Sequence, residues 1–332
     1  MRTGASGNRA LRVRFELVGE LAALVSAFVW SGTSVALTSL SSRVAPAVLS
    51  GLRLAFGSVI VFIVLYFSGE AGDLRTASNA SLAGVIISGF IGYGLGDTIY
   101  IAALKRLGMA RTFPVTMALY IGGTVLGGVL LLGEPFSWGL PAGALLIGAG
   151  IYLIVIPAAG ITQPLPPVPA EPAAATLAET PGSPPAAFAS PGLYGYGLLI
   201  AVGVFWSIAT LWLADAKGDL GAIAAGAIRT PSGAVALVGF AMATQRPEFF
   251  APFRNRNHVL AIVAAGMVGT GLGSLCYVYA VVEAGAARTA VLSATSPLMA
   301  LPLSIIFLGE RFTRRIAAGT FCCVGGILLV VA

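Results

Sequence analysis

The amino-acid sequence predicts an all-α membrane protein: ten transmembrane helices in two inverted five-helix repeats. Three observations carry this. The 332 residues are 57% hydrophobic and only 10% charged, with a mean hydropathy of +0.93. Soluble domains carry about 25% charged residues, so the bilayer is the expected solvent. The apolar residues gather in segments of about 20 residues, the length that crosses a hydrocarbon core. They are too long and continuous for barrel strands, which alternate over about 10 residues. Finally, the sequence repeats itself. Gly92-Tyr-Gly-Leu-Gly-Asp-Thr-Ile-Tyr100, running on to Gly108-Met-Ala-Arg-Thr112, returns about 176 residues later as Gly269-Thr-Gly-Leu-Gly-Ser-Leu-Cys-Tyr277, running on to Gly285-Ala-Ala-Arg-Thr289. Each copy holds five segments. Five is odd, so the second copy must enter the membrane upside down relative to the first.

The first segment, 17–38, follows a basic tail (1–15) carrying Arg2, Arg9, Arg12 and Arg14. Its apolar run is too long for a signal-peptide core and has no convincing cleavage site, so it reads as a span. Its Phe28-Val-Trp-Ser31 recurs as Val204-Phe-Trp-Ser207 in the sixth segment, 193–214. The second and seventh segments, 46–67 and 220–243, carry Arg53 and Arg229 at equal distances after those tryptophans. The third and eighth, 82–104 and 258–281, are the glycine-rich stretches. The fourth and ninth, 110–132 and 287–309, close on Leu132-Gly-Glu134 and Leu308-Gly-Glu310. The fifth and tenth, 136–157 and 315–332, carry Gly143-Ala-Leu-Leu-Ile-Gly-Ala-Gly-Ile151 and Gly319-Thr-Phe-Cys-Cys-Val-Gly-Gly-Ile327. Between the copies, 157–191 holds more than half of the 19 prolines. Such a stretch cannot span a membrane and reads as an extended, solvated linker. The expected organisation is a tail (1–15), a first repeat (16–156), the linker (157–191) and a second repeat (192–332).

The net charge of +6 sits in short loops and the tail. It reflects topology and gives no support to nucleic-acid binding. The arginine-rich tail places the N-terminus in the cytoplasm, whereas Lys and Arg summed over all loops favour the opposite face. Cys276, Cys322 and Cys323 all lie in apolar segments without metal-ligand spacing. Gly92-x-Gly-x-Gly96 follows no strand and lacks the companions of a nucleotide loop. Close glycines in an apolar helix instead let backbones approach. No metal and no cofactor is therefore expected.

Asp97 is the most informative side chain. A carboxylate well inside a span is costly unless it is paired, protonated or facing water. Its repeat counterpart is Ser274. Tyr93, Asp97 and Tyr100 share a helical face, and Thr270, Ser274 and Tyr277 form the matching one; two such stripes would line one central cavity. Arg53 lies at a depth similar to Asp97 in the antiparallel neighbouring span, so the two are expected to pair. That pair reads as a static helix lock or as a proton or substrate switch. Arg229 repeats Arg53, but its half has no acid at the Asp97 position. It reads as an arginine reaching the interface or helix-end carbonyls freed by a break at Pro231, or as a site for a substrate carboxylate or phosphate. Trp30 with Ser34, and Trp206 with Thr210, place an aromatic and a hydroxyl on one face of the first span of each repeat. Glu134 and Glu310 read as interfacial residues that cap or gate. Glu20 reads as interfacial or as a second protonatable site. His258 has no partner in the sequence and reads as a surface residue.

These residues, in this order and duplicated, resemble the ten-span EamA-type members of the drug/metabolite transporter superfamily. The resemblance covers both halves and leaves out the tail and linker. It rests on Trp30-Ser31 and Trp206-Ser207, Arg53 and Arg229, the glycine-rich third spans, the Leu-Gly-Glu endings and the closing helices. Pro297 matches the mid-helix proline of that family, while the corresponding place in the fourth segment reads Ile121-Gly-Gly123. The resemblance implies a secondary transporter or exporter of small metabolites in a cytoplasmic membrane, with its N-terminus inside.

Transport by alternating access is thus the leading expectation, with energy from an ion gradient or the substrate's own gradient, since no ATP-binding motif exists. An intramembrane enzyme acting on lipid-linked substrates would need clustered acids, histidines or a nucleophile with its base, and a scaffold subunit would need an extramembrane domain. The partners expected are a small-molecule substrate, the lipid bilayer and protons, with a homodimer possible.

Overall fold

The computed structural model describes residues 3–41, 43–107, 109–155, 192–293, 295–296 and 314–331, and all of their regular secondary structure is helical. The first repeat comprises α1 (Thr3–Ser41), α2 (Pro46–Ser68), α3 (Asn79–Leu107), α4 (Met109–Leu131) and α5 (Gly139–Val155). The second comprises α6 (Gly192–Ala216), α7 (Ala222–Thr244), α8 (Arg256–Ala284), α9 (Ala286–Ser293) and α10 (Arg314–Val331). Most of the ninth predicted segment, with Pro297 and Glu310, lies outside the described residues, as do the linker and the side chain of Ser34. By length and composition α2, α3, α6, α7 and α8 can each cross a membrane, and α1, α4, α5 and α10 contain shorter apolar helices.

Local chemistry explains the helix ends. Pro46 opens α2, where its missing N–H and fixed φ suit a first turn. Gly69 closes it at φ +81°, a conformation only glycine adopts cheaply. The Ser78 hydroxyl caps α3 by accepting from the Ser81 N–H at 3.1 Å. At the corresponding position the Asn255 side chain caps α8 by accepting from the N–H of Asn257 at 2.9 Å. Both long helices then change register at matching places, from α to π over Phe90–Gly96 in α3 and over Ala265–Leu272 in α8. Such π segments sit frequently at functional sites. The expected break at Pro231 does not occur: α7 runs unbroken through it, and the Ser232 hydroxyl donates to the Arg229 carbonyl at 2.7 Å.

The most extensive helix pairings all join one repeat to the other. α1 lies on α8 as α6 lies on α3; α2 lies on α8 as α7 lies on α3; α2 pairs with α7, and α5 with α10. An exchange of the two repeats maps this set onto itself, as an inverted repeat requires. Glycines set the closest crossings. A methyl group on Gly89 of α3 would strike the carbonyl of Arg229 in α7, and one on Gly266 of α8 would strike the carbonyl of Arg53 in α2. Outward faces carry Phe62, Tyr66, Leu126, Leu145, Val235 and Phe321, all exposed, while Arg53, Arg229 and many hydroxyls are buried. This apolar exterior around a polar interior suits lipid surroundings.

Candidate functional site: a polar cavity between the repeats

The helices enclose a cavity of about 100 Å³ at the junction of the repeats. Residues singled out in the sequence line it: Trp30, Arg53, Tyr93, Asp97, Tyr100, Trp206, Thr210, Arg229, Thr270, Ser274 and Tyr277. Ligand sites for drug-sized molecules are typically about 300–1,000 Å³, so this space suits a compact solute or one part of a larger one.

Asp97 begins an 11-residue α-helical stretch that completes α3, which puts it about 15 Å from that helix end. Its Oδ2 receives the Arg53 guanidinium from α2 in a largely buried salt bridge. Its Oδ1 accepts from the Trp206 indole N–H of α6 at 3.0 Å. The carboxylate is therefore bound by one group from its own repeat and one from the other. The equivalent indole, Trp30, donates to the Gly269 carbonyl at 3.0 Å, because Ser274 replaces the acid in that half. Each tryptophan also meets a tyrosine of the opposite repeat: Trp30 with Tyr277 at 5.2 Å and Trp206 with Tyr100 at 5.0 Å between ring centroids.

Arg229 departs from the first of its two sequence readings. It is 2% exposed and reaches neither the interface nor helix-end carbonyls. Its Nε donates to Ser88 Oγ at 3.0 Å and its Nη1 to the Tyr93 hydroxyl at 2.9 Å. The rings of Tyr93 and Tyr277 lie 4.3 Å and 5.5 Å from its guanidinium carbon, within cation–π range.

Two contributors escaped sequence reasoning: Tyr120, which lines the cavity, and Ser88, which holds Arg229. The Tyr120 hydroxyl meets that of Tyr277 at 2.6 Å, and Thr210 bonds the same oxygen, tying α4, α6 and α8 together. Ser88 donates to the Ala209 carbonyl at 2.6 Å while accepting from Arg229. Tyr120 carried no repeat signal, and Ser88 has Ala265 as its counterpart. Only the intramembrane hydroxyl itself hinted at a role.

Glu134 stands apart from the cavity. Its carboxylate accepts from the N–H groups of Ala286 and Ala287 at 2.7 and 3.0 Å, capping α9 of the opposite repeat where the helix dipole favours negative charge. Its counterpart Glu310 lies outside the described residues. Glu70 caps α7 likewise through the N–H groups of Ile223 and Ala224, both at 3.0 Å. Glu20, expected at the interface, is buried and pairs with Arg288 at 2.8 Å. His258 Nε2 lies 3.5 Å from the Arg43 guanidinium on the surface.

A helical, multi-pass membrane protein with a charged cavity between inverted repeats defines a transporter-like class. The EamA-like transporter family model matches residues 17–156 and 193–332, and the chain belongs to that family within the drug/metabolite transporter superfamily. It is similar to the uncharacterized protein PA1977 of Pseudomonas aeruginosa, with 33% identity over 105 residues, 32% of this chain and 36% of that protein. A protein crystal structure superposes with a TM-score of 0.68 at 20% identity, over 94% of this chain and 95% of the other; that likeness concerns the fold alone.

Proposed function

We propose that the protein is a secondary-active transporter of the cytoplasmic membrane that exports a small metabolite or amino-acid-like solute by alternating access, coupled to protons at Asp97. One observation carries the reading: Asp97 is held simultaneously by Arg53 of its own repeat and Trp206 of the other. A proton on that carboxylate removes the charge that attracts Arg53 and weakens the bond to Trp206, loosening one contact across the repeat junction. Deprotonation restores both bonds. Rocking of one repeat against the other would turn this local exchange into access from alternate faces. The paired glycine crossings and the π segments are where such helices can slide.

The test is flux of a metabolite panel in proteoliposomes, with and without an imposed pH gradient, comparing wild type with Asp97→Asn. The reading expects gradient-driven flux in the wild type, and loss of only the driven component in the variant. Driven flux that survives Asp97→Asn assigns the carboxylate a purely structural role and ends the coupling proposal.

A further inference from the structure

Three charged side chains among the described residues reach the cavity: Arg53, Asp97 and Arg229. Arg53 and Asp97 neutralise one another. Arg229 has only neutral partners, two hydroxyls and two tyrosine faces, and no carboxylate among the described residues bonds it. A guanidinium does not deprotonate in a protein, and an uncompensated charge at membrane depth is expensive. The site therefore carries one unit of positive charge that nothing in the described protein balances.

The hydrogen bonds show which edge is open. Nε is used by Ser88 and one Nη1 hydrogen by Tyr93. The other Nη1 hydrogen and both on Nη2 take no acceptor among the described residues, which leaves them to meet a carboxylate in charge-assisted bonds. Ser88 is held in its role, since its own proton goes to the Ala209 carbonyl. Tyr93 accepts from Arg229, so its O–H remains available to donate to a ligand oxygen. Gly92 keeps the approach clear, for a methyl there would lie 3.1 Å from Nη2.

We infer that the solute is an organic monoanion whose carboxylate docks against the open Nη hydrogens of Arg229 with Tyr93 as a second donor, and whose compact apolar or aromatic body lies among Trp30, Tyr100, Trp206 and Tyr277. This deepens the transport reading and rests on it for the word solute. One negative charge balances the site, whereas a dianionic phosphate would overshoot it. An ammonium group is not required. The Asp97 charge is already neutralised by Arg53, so a zwitterion's ammonium meets no uncompensated negative charge here and settles for a spare Asp97 lone pair or aromatic faces. The acid group is thus the recognised feature and the amine is dispensable.

The experiment uses the full-length protein in nanodiscs. Thermal stabilisation and quenching of tryptophan fluorescence are read with a series of carboxylates from acetate to indole-3-acetate, each beside its neutral amide and its matched amine. Carboxylates are expected to bind about tenfold or more tightly than their amides, and α-amination of the acid is expected to add less than that. Arg229→Gln should abolish the preference. Tyr93→Phe, which keeps the ring over the guanidinium, should lower carboxylate affinity severalfold and leave amide affinity unchanged, so the inference stays testable if the arginine variant fails to fold. Equal affinity for acid and amide, preference for the amine, or no response to any carboxylate overturns the inference. Counterflow in proteoliposomes separates the two readings. Carboxylate binding without flux leaves this site standing and defeats transport; flux confined to neutral or cationic solutes does the reverse.

Discussion

Trp206 of the second repeat donates its indole N–H to Asp97 of the first at 3.0 Å, while the symmetry-equivalent Trp30 donates to the backbone carbonyl of Gly269. The same side chain therefore holds a charge in one half and a neutral peptide oxygen in the other. Trp206→Phe removes the donor and keeps ring contact with Tyr100. It is expected to lower stability by about 1.5–3 kcal/mol, as for a bond to a charged group, against about 0.5–1.5 kcal/mol for Trp30→Phe. Melting temperatures in detergent measure both. Equal losses would mean that the charge on Asp97 is not what Trp206 holds.

Arg53→Gln strands a largely buried carboxylate. Removing one partner of such a pair typically destabilises by about 3–5 kcal/mol. The double variant Arg53→Gln/Asp97→Asn leaves two neutral amides and is expected to regain most of that. A double variant as unstable as the single one would show that side-chain packing, rather than charge, is what matters there.

The glycine crossings make a symmetric prediction. Gly89→Ala and Gly266→Ala each press a methyl onto a backbone carbonyl of the partner helix, and both are expected to lose about 1–3 kcal/mol or more through overpacking. Gly122→Ala and Gly148→Ala meet nothing within 4 Å and serve as controls whose melting should hold or rise, alanine being the better helix former. Folding yield and melting of the four variants decide the matter.

Glu134→Ala removes the cap from α9. A lost N-terminal cap costs about 0.5–2 kcal/mol, and here the amides concerned are those of Ala286 and Ala287. Hydrogen exchange should quicken at these two positions while the amides around Asp97 keep their protection. Unchanged exchange at Ala286 and Ala287 would show that the cap contributes nothing in the bilayer.

Much of the fold was legible because membrane solvent makes span length and repeat spacing blunt constraints. The pairing of Arg53 with Asp97 was legible for the same reason: antiparallel neighbours at like depth leave a buried carboxylate few other partners. The partners of Arg229 were not legible because Ser88 and Tyr93 are neutral groups on a helix that precedes it by well over a hundred residues, and no charge pattern announces a hydroxyl ligand. The expected break at Pro231 failed because a single missing N–H is tolerated once neighbouring helices and the Ser232 hydroxyl surround the site. The carboxylate of Glu134 was expected to cap or gate, and it accepts from backbone N–H groups of the other repeat; nearly all residue types carry such donors, so no sequence names the partner. The π segments were illegible as such, since a shift of one hydrogen-bond register leaves composition unchanged; only the clustered glycines marked the place.

The reciprocal pairing of helices has a consequence for how the molecule is made. When the ribosome finishes the first repeat, Arg53, Asp97 and the polar faces of α2 and α3 are in the bilayer with their opposite wall still unsynthesised. The first five helices are thus an orphan subunit awaiting its mate. Two separately translated halves, meeting in one membrane, would carry between them the pairing surfaces of the described helices.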